Sequence, residues 1–311
     1  MVHNEWKSVK QQRPIVPGHE IVGIVVRAGA KAAHRVGTRV AVGTVVGSCG
    51  KCEECAAGEE NYCTRAVDTY NGIHPATKTR THGGFAERVV VDSKFAYAVP
   101  AELPSTTAAP LMCAGVTVYS PLKRNFRPGA RVGVVGIGGL GHFALQFARA
   151  LGYARVVAVT TSADKAAAAR SFGAEDVVVS SDKASMGKHA GSLDLVLVTV
   201  SAEIPWGAYL RLLRVGGDLC LVGLPPSGEV KLNAFAFTGR RLSFSGSNTG
   251  GTKATAEMLS VAAKHGVRAA VELLPLTVDG ANEALRRVAR NAPRYRCVLL
   301  PEDAPKEGAS L

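Results

Sequence analysis

Residues 131–162 read RVGVVGIGGLGHFALQFARALGYARVVAVTTS: an apolar run of strand length, a stretch with helical spacing, then a second apolar run. Two fully apolar strands joined through a helix form a βαβ unit, and that unit implies a parallel sheet with both faces covered. Gly136, Gly138 and Gly141, with Gly139 and Leu140 between them, form G-x-G-x-x-G at the turn from strand to helix. Gly136 permits the tight turn, Gly138 lets the backbone approach a pyrophosphate, and Gly141 lets helix and strand pack closely. The helix start then offers unpaired N–H groups to phosphate oxygens. The competing reading is a glycine-rich turn without a ligand, but the βαβ context favours a dinucleotide. Further strands are expected at EDVVV (175–179), DLVLVTV (194–200), GDLCLVG (217–223) and LSFSG (242–246), with helices between, one of them from Asp164 to Phe172.

The end of the second strand selects the cofactor. An NAD-binding unit places Asp or Glu there for the ribose 2′-OH. This chain has Thr160, Thr161 and Ser162, followed by Lys165. Hydroxyls and an ammonium would accept a 2′-phosphate that a carboxylate would repel, so NADP(H) is expected. Asp164 fits the first turn of the following helix, where a carboxylate favours the dipole, and Ser162 also suits that helix's N-cap.

Ahead of this unit, from Val16 to about Ala98, the apolar segments are short and rich in Val and Gly: EIVGIVVRAG, RVAVGTVVG, ERVVVD. That pattern reads as an irregular β-domain. Within it Cys49, Cys52, Cys55 and Cys63 are spaced C-x2-C-x2-C-x7-C. Four thiolates so close in sequence can surround one tetrahedral Zn²⁺ and leave no open position, the arrangement of a structural site. Disulfides are the alternative, but no secretory leader precedes the run and the other three cysteines are scattered. A reducing, cytoplasmic compartment is expected.

At 311 residues the chain has room for two domains. Its net charge of +12 raises nucleic acid as a partner. The basic residues are dispersed rather than clustered, however, and aromatics are only 6%. A solvated basic surface that favours anionic cofactors is the better reading, with no nucleic-acid partner. No apolar stretch is long enough for a membrane helix.

Two further motifs join these: Gly18-His19-Glu20 and Leu111-Met112-Cys113-Ala114-Gly115. A catalytic zinc needs three protein ligands and one exchangeable position, and His and Cys suit it. Alone, His19 reads as a hydrogen-bonded residue and Cys113 as a buried hydrophobe. Together with PIVPGHEIVG (14–23), GGFAERVVVD (83–92), PLMCAGVTVYSPL (110–122), VGVVGIGGLGH (132–142), VTTSADK (159–165) and YRCVLL (295–300), they resemble zinc-dependent medium-chain alcohol dehydrogenases. The resemblance is closest to the cinnamyl alcohol dehydrogenase-like branch and its NADP-dependent aldehyde reductases. It spans essentially the whole chain.

The resemblance implies an α/β protein with a GroES-like β-rich catalytic domain (1–125), a doubly wound Rossmann domain (126–264) and a return to the catalytic domain (265–311). It implies His19 and Cys113 as catalytic-zinc ligands, with Glu20 beside the metal as the adjacent candidate for a third. It also implies that GSNTGG, with Gly246, Ser247 and Asn248, borders the nicotinamide ribose, although a flexible strand-to-helix loop reads equally well. The implied reaction is hydride transfer between NADP(H) and a small alcohol or aldehyde, in a homodimer. The departure lies at the front. The family's first zinc cysteine sits in a C-G-x-C-H-[ST]-D segment just upstream of a stretch like HNEW (3–6), and Met1 follows almost directly. The resemblance therefore implies an N-terminally incomplete catalytic domain that lacks that cysteine, the relay hydroxyl and His, and the opening strands. The chain as written is expected to turn over aldehydes poorly. A cofactor-binding protein with structural zinc only, and a reductase without catalytic zinc, are the alternatives. Cys220 and Cys297 are read as core residues in strands.

Overall fold

The computed structural model describes residues 14–304. HNEW and the tail beyond Ala304 lie outside the described residues. The chain divides into two compact units, one through residues 117–248 and the other from the chain on both sides of it. The breaks thus fall at 116/117 and 248/249, earlier than the 125/126 and 264/265 read from sequence.

The flanking unit begins with β1 (Ile21–Ile24), β2 (Arg39–Val42), β3 (Val45–Gly47), β4 (Val67–Asp68) and β5 (Ala96–Ala98). β1, β2 and β5 form an antiparallel sheet in that order, and β3 pairs antiparallel with β4. Residues 87–92, expected as a strand, pair with no other strand among the described residues. Val91 packs onto the small core of Val42, Val46 and Val67, while Val90 is fully exposed.

The central unit is the expected sheet: β6 (Arg131–Val135), β7 (Arg155–Thr160), β8 (Asp176–Val179), β9 (Leu193–Val198), β10 (Leu213–Leu221) and β11 (Ser243–Gly246). All its pairings are parallel, in the order β11-β10-β9-β6-β7-β8. Every residue of β9 is buried, as a strand covered on both faces requires. Asp164–Phe172 is a 3₁₀ turn (Ala163–Lys165) followed by a short helix (Ala166–Ser171).

The chain then returns to the flanking unit through a helix (Thr252–His265), β12 (Val271–Pro275), a helix (Val278–Ala289) and β13 (Arg296–Leu300). β12 and β13 are parallel, and Thr277 caps the helix between them by accepting the Gly280 N–H at 3.1 Å. An open groove of about 2680 Å³ runs across this unit, with Ile24, Val26, Val90, Leu273 and Val288 on its walls. No helix among the described residues is long and apolar enough to cross a membrane.

One carboxylate ties the amino ends of the central strands together. Asp194, buried at the start of β9, accepts from Arg127 at 2.8 Å, from Arg131 Nε at 3.0 Å and N–H at 2.9 Å, and from Arg214 Nε. Burial alone would raise its pKa, but the arginines and the backbone N–H hold it at about 2. A depressed folded-state pKa contributes stability that is fully present above the unfolded value, near 3.8, and is lost as pH falls toward 2. Asp194→Asn should therefore cost roughly 2 kcal/mol at pH 7. The difference between variant and parent should shrink as pH drops from about 4 to about 2. Urea unfolding of both proteins across that range checks this, and a pH-independent difference would refute it.

Candidate functional site

In an open parallel sheet, ligands bind at the carboxyl ends of the strands where the strand order reverses. Here the reversal lies between β6 and β9, because β6 is followed in sequence by β7 on one side and flanked by β9 on the other. Gly136 leaves β6 there with φ +89°, and a Cβ on it would stand 2.2 Å from Val200 Cγ1. A Cβ on Gly141 would stand 1.9 Å from the Gly136 oxygen, so the helix Gly141–Leu151 starts directly against the turn. Gly138 is the opposite case, with open space where a Cβ would point. Tight packing below and open space above is what a pyrophosphate approaching this backbone needs, and Gly139 and Leu140 complete the turn.

Two side chains brace the turn. Thr199 Oγ1 lies 2.9 Å from the oxygens of both Val135 and Gly136. The buried His142 lies with Nδ1 3.1 Å from the Gly138 oxygen. Neither was singled out in the sequence; Thr199 is distant in the chain, and His142 carried no signal beyond its place after Gly141.

At the end of β7, Thr160 is buried, Thr161 and Ser162 are exposed, and Lys165 is half-buried in the 3₁₀ turn. Ser162 occupies the N-cap position but caps no backbone N–H; its hydroxyl donates to the Asp164 carboxylate. Gly246 closes β11, and the Ser247 N–H donates to the Leu221 oxygen at 3.0 Å, which places 246–248 on the same carboxyl edge of the sheet.

The flanking unit holds the cysteine set. Cys49, Cys52, Cys55 and Cys63 present sulfurs all within 4.8 Å of one another. The Cys49 and Cys55 sulfurs are 3.9 Å apart. The edge of a ZnS₄ tetrahedron with Zn–S near 2.3 Å is about 3.8 Å, so the donors fit the ion. Backbone N–H groups point at the sulfurs: Lys51 and Cys52 at Cys49, and Cys49 and Arg65 at Cys63. The Lys51 and Cys52 N–H groups bring the Cys49 thiol down to about 5, so the ligating thiolate form is favoured.

His19, Glu20 and Cys113 belong to the same unit but form no comparable set. Among the described residues, the four cysteines alone form a group of three or more metal-ligating side chains. His19 is positioned by P-G-H-E pairing with G-G-F: Gly83, Gly84 and Phe85 donate to the oxygens of Val16, Gly18 and Pro17 at 2.7–2.9 Å. Gly18 must be glycine, with φ +100° and Phe85 Cδ1 2.7 Å from a Cβ. The His19 ring stacks on Tyr70, centroids 5.6 Å apart. Burial holds its pKa below the usual value, keeping the neutral imidazole that metals bind. Cys113 sits half-buried in a π-helical turn, Leu111–Gly115, an irregularity common at functional sites.

Both Glu20 oxygens have partners. Arg296 donates to Oε2 and the Ala114 N–H to Oε1 at 3.2 Å, so its lone pairs serve β13 and the cysteine turn. Arg296 lies in the quoted YRCVLL, but the 276-residue separation of the pair leaves no local pattern that could announce it. Cys220 is buried, in keeping with a core role, and Cys297 is half-buried beside the groove.

A family model for zinc-binding dehydrogenases matches residues 139–264, and one for the alcohol dehydrogenase GroES-like domain matches residues 1–101. The chain is 41% identical over 304 residues to a probable cinnamyl alcohol dehydrogenase 6 of Oryza sativa subsp. japonica, covering 96% of this chain and 83% of the relative. It is 44% identical over 306 residues to NADP-dependent alcohol dehydrogenase C 1 of Mycolicibacterium smegmatis, covering 96% and 86%. Among solved structures, a cinnamyl alcohol dehydrogenase of Sorghum bicolor (SbCAD4) superposes with TM-score 0.89 at 39% identity, covering 96% of this chain and 84% of that one.

Replacing one sulfur of the tetrahedron with a neutral hydroxyl leaves the shell open. Cys52→Ser should lose lobe zinc and lower the thermal midpoint. Metal analysis and a melting curve check both; a variant with full zinc content and unchanged midpoint would remove the assignment.

Proposed function

This chain belongs to the zinc-binding medium-chain alcohol dehydrogenases, in their cinnamyl alcohol dehydrogenase-like branch, and we propose that it takes NADP(H) and interconverts aromatic, cinnamyl-type or other primary alcohols with their aldehydes. The observation that carries the cofactor half is the turn at Gly136–Gly141, open above Gly138 and closed below. The choice of phosphate rests on the end of β7, where Thr161 and Ser162 are exposed, Lys165 follows, and no carboxylate ends the strand. The NADP dependence in the mycobacterial relative's name supports the same choice.

A bound NADP(H) would supply the hydride chemistry by which aldehyde, NADPH and a proton become alcohol and NADP⁺. The chain's own residues bind and orient. Gly138 admits the pyrophosphate, the N–H groups opening Gly141–Leu151 receive it, and Lys165 answers the 2′-phosphate. The four cysteines would hold a structural zinc, which would keep the lobe folded. The residues proposed for a catalytic zinc do not close a shell: His19 is neutral and available in form, Cys113 is half-buried, and Glu20 is committed to Arg296 and Ala114. A second reading is cofactor binding with structural zinc and little turnover, and metal content with turnover separates the two. A reducing, cytoplasmic setting suits seven cysteines of which none is in a disulfide.

Calorimetric titration should give tighter NADPH than NADH binding. Lys165→Ala should cost about 1–3 kcal/mol for NADPH and little for NADH. Equal affinities in the parent would overturn the cofactor choice. NADPH oxidation with cinnamaldehyde, run with metal analysis, then separates the readings. Slow turnover with about one zinc per chain fits the impaired reading, and full turnover with about two fits a completed catalytic site. Full turnover with about one would mean a reductase that needs no catalytic zinc.

We also propose a homodimer. β11 is an outer strand of the central sheet, with Ser243, Phe244 and Gly246 exposed, and such an edge is a template for pairing with a second copy. Sedimentation should give a dimer that Phe244→Lys converts to monomer; a monomeric parent would refute this.

A further inference from the structure

Glu60 is a carboxylate with 1% exposure inside the cysteine lobe, between Cys55 and Cys63. Its partners lie far away in sequence. The Thr252 N–H donates to Oε2 at 2.9 Å and the Thr252 hydroxyl to Oε1 at 3.0 Å, while Lys94 Nζ stands 2.9 Å from Oε1. Thr252 is the first residue of the 14-residue helix Thr252–His265, whose N-cap Gly251 has no side chain to cap it. Glu60 supplies that cap from another part of the chain, a charge-assisted bond at the positive end of a helix. Burial alone would raise its pKa, but Lys94 and Thr252 prevail and keep the carboxylate ionised.

The backbone is pressed into the same contact. A Cβ on Gly251 would stand 2.1 Å from the Gly58 oxygen, and the Lys253 N–H donates to that oxygen at 3.3 Å. The space left among Glu60, Phe95, Tyr97, Met112 and Gly251 is about 10 Å³, at the limit for one water. On the other side, the segment leaving β11 is tied at Gly246, whose oxygen accepts from Arg124 at 3.3 Å, and at Ser247, bonded to Leu221. Between the two ties the backbone passes through Thr249 at φ +48°, a conformation a β-branched residue rarely adopts and keeps only when both ends are held.

We propose that Glu60 is a positioning residue: through it, an intact cysteine lobe sets the conformation of residues 248–252 and thereby the affinity of the chain for its dinucleotide. The affinity half rests on the cofactor reading above, since 246–248 leave the carboxyl edge of the sheet that binds the nucleotide. The structural half does not. In the zinc-loaded protein, Glu60→Gln keeps one acceptor oxygen but loses the charge and the second acceptor. Amide hydrogen exchange at 249–255 should then rise about tenfold, with exchange in β6 and β9 unchanged, zinc content unchanged, and NADPH affinity lowered about tenfold. Stripping zinc from the parent should produce the same two changes, and should add little to them in Glu60→Gln. That non-additivity is the mark of one pathway. If Glu60→Gln does not fold, Thr252→Val, which removes one bond and leaves the Lys94 pair intact, should give the same pattern at smaller amplitude. Unchanged exchange at 249–255 in the folded variant, or after zinc removal, would overturn the proposal. A parent that binds neither NADPH nor NADH would overturn the cofactor reading and the affinity half with it, and the exchange data would still decide the positioning half.

Discussion

The turn from β6 into its following helix is the constraint on which the central unit depends. A single methyl group at Gly141 would overlap the carbonyl of Gly136, so helix and strand approach as closely as backbone allows. That approach sets the crevice at the reversal of strand order and points the helix start at it. Thr199, just after β9, brings its hydroxyl within 2.9 Å of the Val135 and Gly136 carbonyl oxygens. The glycine spacing therefore shapes the packing of the unit as well as opening it to a ligand.

Three carboxylates do comparable work in a chain whose net charge is strongly positive. Asp194 gathers the arginines at the amino ends of the central strands, Glu60 caps a helix from the cysteine lobe, and Glu20 joins the His19 segment to β13 and the cysteine turn. Each is at least partly removed from water and is satisfied by cations and backbone donors, which is the condition for burying a charge without a large penalty. The excess of basic residues is thus partly structural: several arginines are pinned to these few acids rather than displayed to an anionic partner.

Such pairs explain which parts of the site could be read locally. The glycine turn, the cysteine spacing and the order of the parallel strands are short-range patterns, because turn geometry, tetrahedral ligation and crossover connections each draw on neighbouring residues. Gly136, Gly138, Gly141 and the four cysteines stand where their spacing placed them. The 87–92 run shows the limit of such reading: three consecutive valines report β-propensity, but among the described residues no strand pairs with them. The boundary near 265 was displaced for a related reason. Helical periodicity shows that 252–265 is a helix, whereas its place in the flanking unit comes from long-range contacts such as those of Glu60 and Gly58 with its first turn.

The sequence by itself determined that this chain has a doubly wound nucleotide-binding sheet and a lobe with four metal-ready thiolates, because both follow from the identity and spacing of residues within a few turns of one another. Only the tertiary structure decided the work of the acids. Glu20 stands beside His19 in sequence and reads as a candidate ligand, yet a guanidinium from the far end of the chain takes one of its oxygens and the Ala114 N–H the other. Glu60 reads as an unremarked acid between two cysteines, yet it holds a helix that begins 192 residues later. A carboxylate binds whatever donor the fold brings within reach, and no local pattern encodes which donor that is.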